Sequence, residues 1–157
     1  TDDMMQRLND TLPDGVRVLD VVMLDDNAKP SMSIVTASDY YIYKNDECDN
    51  DNLEKLISFI DRFNNESKVE IIKKTKTKEE LSDIKPAIYK LEKKDEGIYM
   101  LLASGSMLNL KPELVVEALC KYAAIEYNRY DYMVHRLETY MGEKDELKSL
   151  IMSGDRF

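Results

Sequence analysis

A chain of 157 residues, 43% hydrophobic and 34% charged, holds one ordinary domain or two very small subdomains sharing a core, and excludes two unrelated large domains. Five glycines and four prolines exclude a low-complexity repeat, and no apolar run approaches the roughly 18 to 20 residues of a membrane span or follows a basic start as a signal core would. The net charge of −9 opposes binding to phosphate backbones across the whole surface, and a chain of this composition beginning at Thr1 reads as a cytoplasmic fragment or part of a longer protein.

Met4 or Met5, Leu8 and Leu12 fall at helical spacing, and Pro13-Asp14-Gly15 ends that segment with a turn. Residues 16–24 are dense in Val and Leu and predict a strand. Residues 30–37 fit either a short helix or irregular chain, and residues 39–44, with Tyr40, Tyr41, Ile42 and Tyr43, predict a strand. An Asp- and Asn-rich loop over 45–52 offers N-caps to an amphipathic helix marked by Leu53, Leu56, Ile57, Ile60 and Phe63. Val69, Ile71 and Ile72 predict a strand over 68–73, whereas 74–82 lacks an apolar period and reads as a mobile charged loop. Residues 87–93 and 97–103 alternate as the two strands of a hairpin. Pro112 suits a first helical turn, and Leu114, Val115, Ala118, Leu119 and Tyr122 follow on one face of a helix over 112–123. Residues 131–141 predict a last strand, and 143–152 a terminal helix. Short mixed elements without repeated long β-α units give an α+β fold, a largely antiparallel sheet with helices on one face. It divides into a first subdomain over 1–63, a second over 64–141 with a basic hairpin, and a C-terminal helix and tail over 142–157.

The charge is unevenly spread. Residues 62–94 hold ten basic and six acidic side chains, a local excess of +4 against −13 for the remainder. Lys73, Lys74, Lys76, Lys78 and Lys85, with Arg136, are the candidate contacts for RNA or an acidic partner. The plainer reading of such a run is a solvated hairpin face.

Other chemistry finds little support. Cys48 and Cys120 are too far apart in sequence for a C-x-x-C pair, which removes zinc-ribbon, thioredoxin and iron–sulfur readings. Cys120 sits at a core position, and carboxylates around Cys48 should keep its thiol protonated. The glycines are too dispersed to cradle a phosphate. His135, the single histidine, reads as an exposed or hydrogen-bonded strand residue rather than a general base. Asp46, Glu47, Asp49 and Asp51 lack the glycine and closing glutamate of a calcium loop. No catalytic, cofactor or metal residue is assigned. The ten tyrosines could stack bases, but without interleaved basic residues most read as half-buried sheet residues with the hydroxyl at water. Tyr89 and Tyr99, which flank the lysine-rich hairpin, are the exceptions.

Leu8-Asn9 with the run from Leu12 to Leu19, then Pro30-Ser31 to Thr36-Ala37 and Tyr40, resembles the radical-SAM-linked protein family. Lys76 to Lys78, Asp83-Ile84-Lys85-Pro86, Leu110-Lys111-Pro112-Glu113-Leu114 and His135-Arg136-Leu137 follow in the same order. The resemblance covers residues 4 to 141 and corresponds to the family's later portion, since its N-terminal Ser-His-Leu-Asp motif is absent here. It implies a radical-SAM protein as partner and a part in tRNA or rRNA modification, while the three-cysteine cluster of radical-SAM enzymes themselves is missing. The expected function is an accessory or binding module that presents RNA to that partner, without cofactor or membrane. The alternative is the scaffold of an enzyme whose active residues lie in the N-terminal part.

Overall fold

The computed structural model describes residues 2–23, 26, 27, 29–74 and 79–150. In chain order these form α1 (Asp2–Asn9), α2 (Ser31–Ile34), β1 (Val35–Lys44), α3 (Asn52–Asn65), β2 (Glu70–Lys74), β3 (Glu79–Asp83), β4 (Ile88–Lys94), β5 (Gly97–Ala103), α4 (Pro112–Tyr122), β6 (Tyr132–Met141) and β7 (Lys148–Ser149). Five strands make one sheet in the order β4-β5-β1-β6-β7, and every pair in it is antiparallel. The path β1-α3-β4-β5-α4-β6 is the split β-α-β arrangement. The β2–β3 hairpin is inserted between α3 and β4, and β7 is added at the edge. No helix among the described residues is long and apolar enough to cross a membrane.

Both long helices lie on one face of the sheet because their apolar residues fall on one stripe. Leu53, Leu56, Ile60 and Phe63 are the buried residues of α3, and Pro112, Val115, Val116, Ala118, Leu119 and Cys120 those of α4. Ile42 of β1, Ile98, Met100 and Leu102 of β5 and Leu91 of β4 meet them in one cluster that also takes in Ile84, Leu110 and Tyr132. Residues on both sides of position 64 therefore share a core. Tyr122 closes the C-terminal ends of the helices with its ring edge-on to Phe63, centroids 5.7 Å apart.

Several expectations are corrected. Residues 16–22 pair with no strand and Met23 makes only an isolated bridge, because β-propensity counts only where a neighbouring edge is available. The charged stretch after Lys74 contains β3, which pairs antiparallel with β2 through its backbone, Leu81 falling opposite Ile72 and Glu80 opposite Lys73, so backbone pairing forms a strand where the sequence shows no apolar period. Residues 75–78 lie outside the described residues. The terminal helix is absent over 143–150: Gly142, at φ 106°, turns the chain, and Lys148–Ser149 pair with β6, while residues 151–157 are outside the described set. Leu114 is half-buried, the core positions going to Val115 and Leu119. Asp51 makes no side-chain cap on α3; the Asn50 carboxamide oxygen instead accepts from the Asn52 N–H.

Leu56 and Leu119 are fully buried. Truncating either to Ala is expected to cost about 2 to 5 kcal/mol, read as a lower urea midpoint at unchanged slope.

Candidate nucleic-acid interface

The helices cover one face of the sheet, and strand alternation decides what stands on the other. On β1, Tyr40 and Ile42 pack with the core, so Asp39, Tyr41 and Tyr43 are directed to the uncovered face. The register brings Tyr99 of β5 and His135 of β6 beside Tyr41, with Glu92 of β4 beyond Tyr99. A second row runs Lys90, Leu101, Asp39, Glu138.

Gly97 makes this packing possible. A Cβ there would meet the Tyr41 ring at 2.6 Å and run into the Ile42 carbonyl oxygen. The Tyr41 ring lies across the glycine with its hydroxyl donating to the Lys94 carbonyl at 3.3 Å. Tyr43 stacks on Tyr41, centroids 5.9 Å apart and planes 23° from parallel. The ammonium groups of Lys90 and Lys94 lie 5.6 and 5.4 Å from the Tyr99 centroid, and Lys144, from the turn after β6, lies 5.1 Å from that of Tyr89, all within cation–π range.

The carboxylates on this face are engaged. Asp39, buried, accepts from the Tyr99 and Tyr140 hydroxyls at 3.0 Å each and from the Glu138 N–H at 2.8 Å. Glu138 accepts from the Thr139 N–H and the Ser149 hydroxyl, and Glu92 pairs with Lys90 at 2.9 Å. Burial first and the bond to Asp39 second push the Tyr140 hydroxyl up to about 12, and the same causes in the same order push Tyr99 up.

The lysine cluster expected from the sequence is divided. Lys85 turns inward: its ammonium donates to the Asn64 and Phe63 carbonyls at 2.7 and 3.3 Å, satisfying the open C-terminal end of α3, and burial pushes its pKa down. Arg136 stands on β6 opposite Tyr40, across three strand spacings from β4, so roughly 14 Å separates it from the Lys85 side of the sheet, beyond the ~8 to 10 Å screening length. Lys73 and Lys74 are placed by their backbones opposite Glu80 and Glu79; Lys76 and Lys78 lie outside the described residues. The groups that do converge are Tyr41, Tyr43 and Tyr99 with Lys90 and Lys94; Lys144 meets Tyr89, which also packs against the core. Tyr89 and Tyr99 were legible as exceptions, but Lys144, 55 positions from Tyr89, carries no local signal.

The asparagines of the 45–52 loop are structural. Asp131, buried, accepts from the Asn50, Asn52 and Asn128 carboxamides at 3.0, 3.2 and 2.8 Å and from the Cys48 thiol at 3.6 Å. Burial and this carboxylate push the Cys48 thiol up. Cys120 is buried against the Tyr132 hydroxyl at 3.4 Å.

Two outcomes follow from these contacts. Tyr140 keeps its proton in the folded state up to about 12 against an ordinary 10.0, so its contribution to stability is complete below pH 10 and falls as pH rises toward 12. In Tyr140→Phe, denaturant titrations across that window should show a shallower decline. Lys85→Met should lose about 1 kcal/mol in the same measurement at neutral pH.

The model of a family described as an uncharacterised protein conserved in bacteria, DUF2344, matches residues 1–112. That span runs from α1 to the first residue of α4 and includes β1, β4 and β5 of the uncovered face. No curated protein and no solved structure matches the chain. A match over this much of the sequence places the chain in the bacterial DUF2344 family.

Proposed function

We propose that the chain is a single-stranded RNA-binding module that stacks bases on the uncovered sheet face and presents the RNA to a radical-SAM partner. The observation that supports RNA is the set of rings on the two central strands, Tyr41 and Tyr43 on β1 and Tyr99 on β5, with the ammonium groups of Lys90 and Lys94 within 6 Å of one of them. An antiparallel sheet with helices behind and aromatic rings in front is how sheet-type RNA modules hold two or three bases. Lys94 and Lys144 then meet phosphates, and the net charge of −9 confines contact to this face. The radical-SAM partner rests on the sequence resemblance alone.

Fluorescence anisotropy with a labelled mixed-sequence single-stranded RNA at low salt tests the reading. Tyr43→Ala should weaken binding roughly five- to 150-fold, the loss of one stacked base at about 1 to 3 kcal/mol. Lys94→Glu should flatten the log–log salt slope by about 0.7, and Lys85→Met should leave affinity unchanged. Absence of binding at low salt, or equal affinity in the Tyr41→Ala/Tyr43→Ala double variant, would falsify it. Affinity lost instead on reversing Lys74 and Lys76 to Glu would move the contact to the β2–β3 hairpin. Pulldown of the intact protein tests the partner, a radical-SAM enzyme being the expected co-purifying species.

A further inference from the structure

One end of the uncovered face is closed and the other is acidic. Along β1 the face runs Tyr43, Tyr41, Asp39, Ala37, and exposure falls from 37% at Tyr43 to 5% at Asp39 and 0% at Ala37. Tyr99 and Tyr140 close over Asp39 through their hydroxyls. Beyond them the turn after β6 is tied to β1 by the Thr36 hydroxyl, which donates to the Gly142 carbonyl at 2.7 Å, and reaches β4 where Lys144 meets Tyr89. At the opposite end the β4–β5 turn carries Asp95 and Glu96, and the loop after β1 carries Asp46 and Glu47, which repel phosphates. An RNA strand seated on Tyr41 and Tyr43 therefore runs across the β-strands, leaving past β4 on one side and past β6 on the other.

Those two sides differ in charge. Lys90 and Lys94 stand on β4, whereas the β6 residues that share the face are Met133, His135, Glu138 and Tyr140. Arg136 is opposite Tyr40, which packs with the core, and so is directed to the other face. His135 is exposed and pairs with Tyr41. The Tyr41 ring leans away from it, since its hydroxyl reaches the Lys94 carbonyl on β4. Among the described residues no side chain hydrogen-bonds or forms an ion pair with the imidazole.

The charged groups around His135 are otherwise occupied or distant. Glu138, on the same strand, accepts from the Thr139 N–H and the Ser149 hydroxyl. Asp39, on β1, holds Tyr99, Tyr140 and the Glu138 N–H. Lys148 of β7 stands at the Met141 end of β6, and Glu92, on the far strand β4, pairs with Lys90. An imidazolium here would have both N–H groups free for an incoming anion.

We infer that His135 is the phosphate contact on the β6 side of the RNA path, so that its protonation tightens binding as the pH falls below neutral; this rests on the RNA reading above. A lysine in that place would hold the RNA at every physiological pH, whereas a histidine makes the contact conditional. The chain has a single histidine, so no second imidazole contributes to the response.

Anisotropy with a short mixed-sequence single-stranded RNA, lacking a terminal phosphate and carrying a pH-insensitive label, tests this at pH 8 and pH 5.5, the range in which a histidine takes up its proton. Wild-type affinity should rise roughly two- to fivefold at the lower pH, the worth of one exposed charge contact, and the log–log salt slope should steepen by about 0.7. His135→Gln should keep the affinity and slope of the higher pH under both conditions, with an unchanged unfolding midpoint. His135→Arg, charged throughout, should bind under both conditions as the wild type does at the lower pH. RNA binding by the wild type that is flat in pH, a His135→Gln variant that keeps the response, or a His135→Arg variant no tighter than His135→Gln would each overturn the inference and leave the RNA reading standing. Absence of binding at both pH values would overturn both.

Discussion

A buried carboxylate ties the centre of the sheet together. Asp39 sits in β1 and takes hydrogen bonds from Tyr99 of β5 and from Tyr140 and the Glu138 N–H of β6, so three adjacent strands share one acceptor. A carboxylate out of water is tolerated only where such donors replace hydration, and these three also set where the rings lie. With the hydroxyls of Tyr99 and Tyr140 drawn to Asp39, their rings lie down over the sheet instead of standing into solvent. The uncovered face is therefore a shaped surface, bounded by Lys90 and Lys94 on one side and by Tyr41 and Tyr43 on the other.

The two faces divide the labour. Behind the sheet, α3 and α4 bury a continuous apolar cluster, which supplies stability. In front, tyrosines do what aliphatic residues could not: each ring shields the strand below while its hydroxyl or edge stays available to polar groups. Local cation placement matters more here than net charge. Some carboxylates are spent inside the fold: Asp131, before β6, holds Asn50, Asn52 and Asn128, and Asp39 and Glu138 are hydrogen-bonded within the sheet.

The elements that sequence periodicity reveals are those whose apolar residues find a partner inside the same core. The stripes of α3 and α4 and the alternation of β4, β5 and β6 follow from Leu56, Ile60, Leu119, Leu91, Met100 and Tyr132, all buried. Residues 16–22 carry an equally strong strand pattern, yet the described chain offers them no ladder. β3 fails in the opposite sense: only Leu81 is apolar, and the strand exists through its backbone ladder with β2. The candidate interface was legible in its residue types and not in its assembly. Tyr89 and Tyr99 flank the basic hairpin in sequence, but Lys144 reaches Tyr89 only because the turn after β6 folds back over the sheet. Lys85, equally basic, is withdrawn from the surface by two helix carbonyls that no local pattern announces.

One of the two irregularities in the β1–β6 ladder gives the sheet a phase. Asp39 pairs with Glu138, but the next residue, Tyr40, pairs with Arg136, so Leu137 is the extra residue of a bulge. On one side of it His135 and Met133 share the front face with Tyr41 and Tyr43; on the other, Glu138 and Tyr140 share it with Asp39 and Ala37. Leu137 thus acts as a frame shift between two blocks of one strand. Within a lineage the length of β6 is consequently far less free to drift than that of a loop between elements: one residue gained or lost beside Leu137 exchanges front for back across half the strand, whereas the same change in a surface connection alters only a loop.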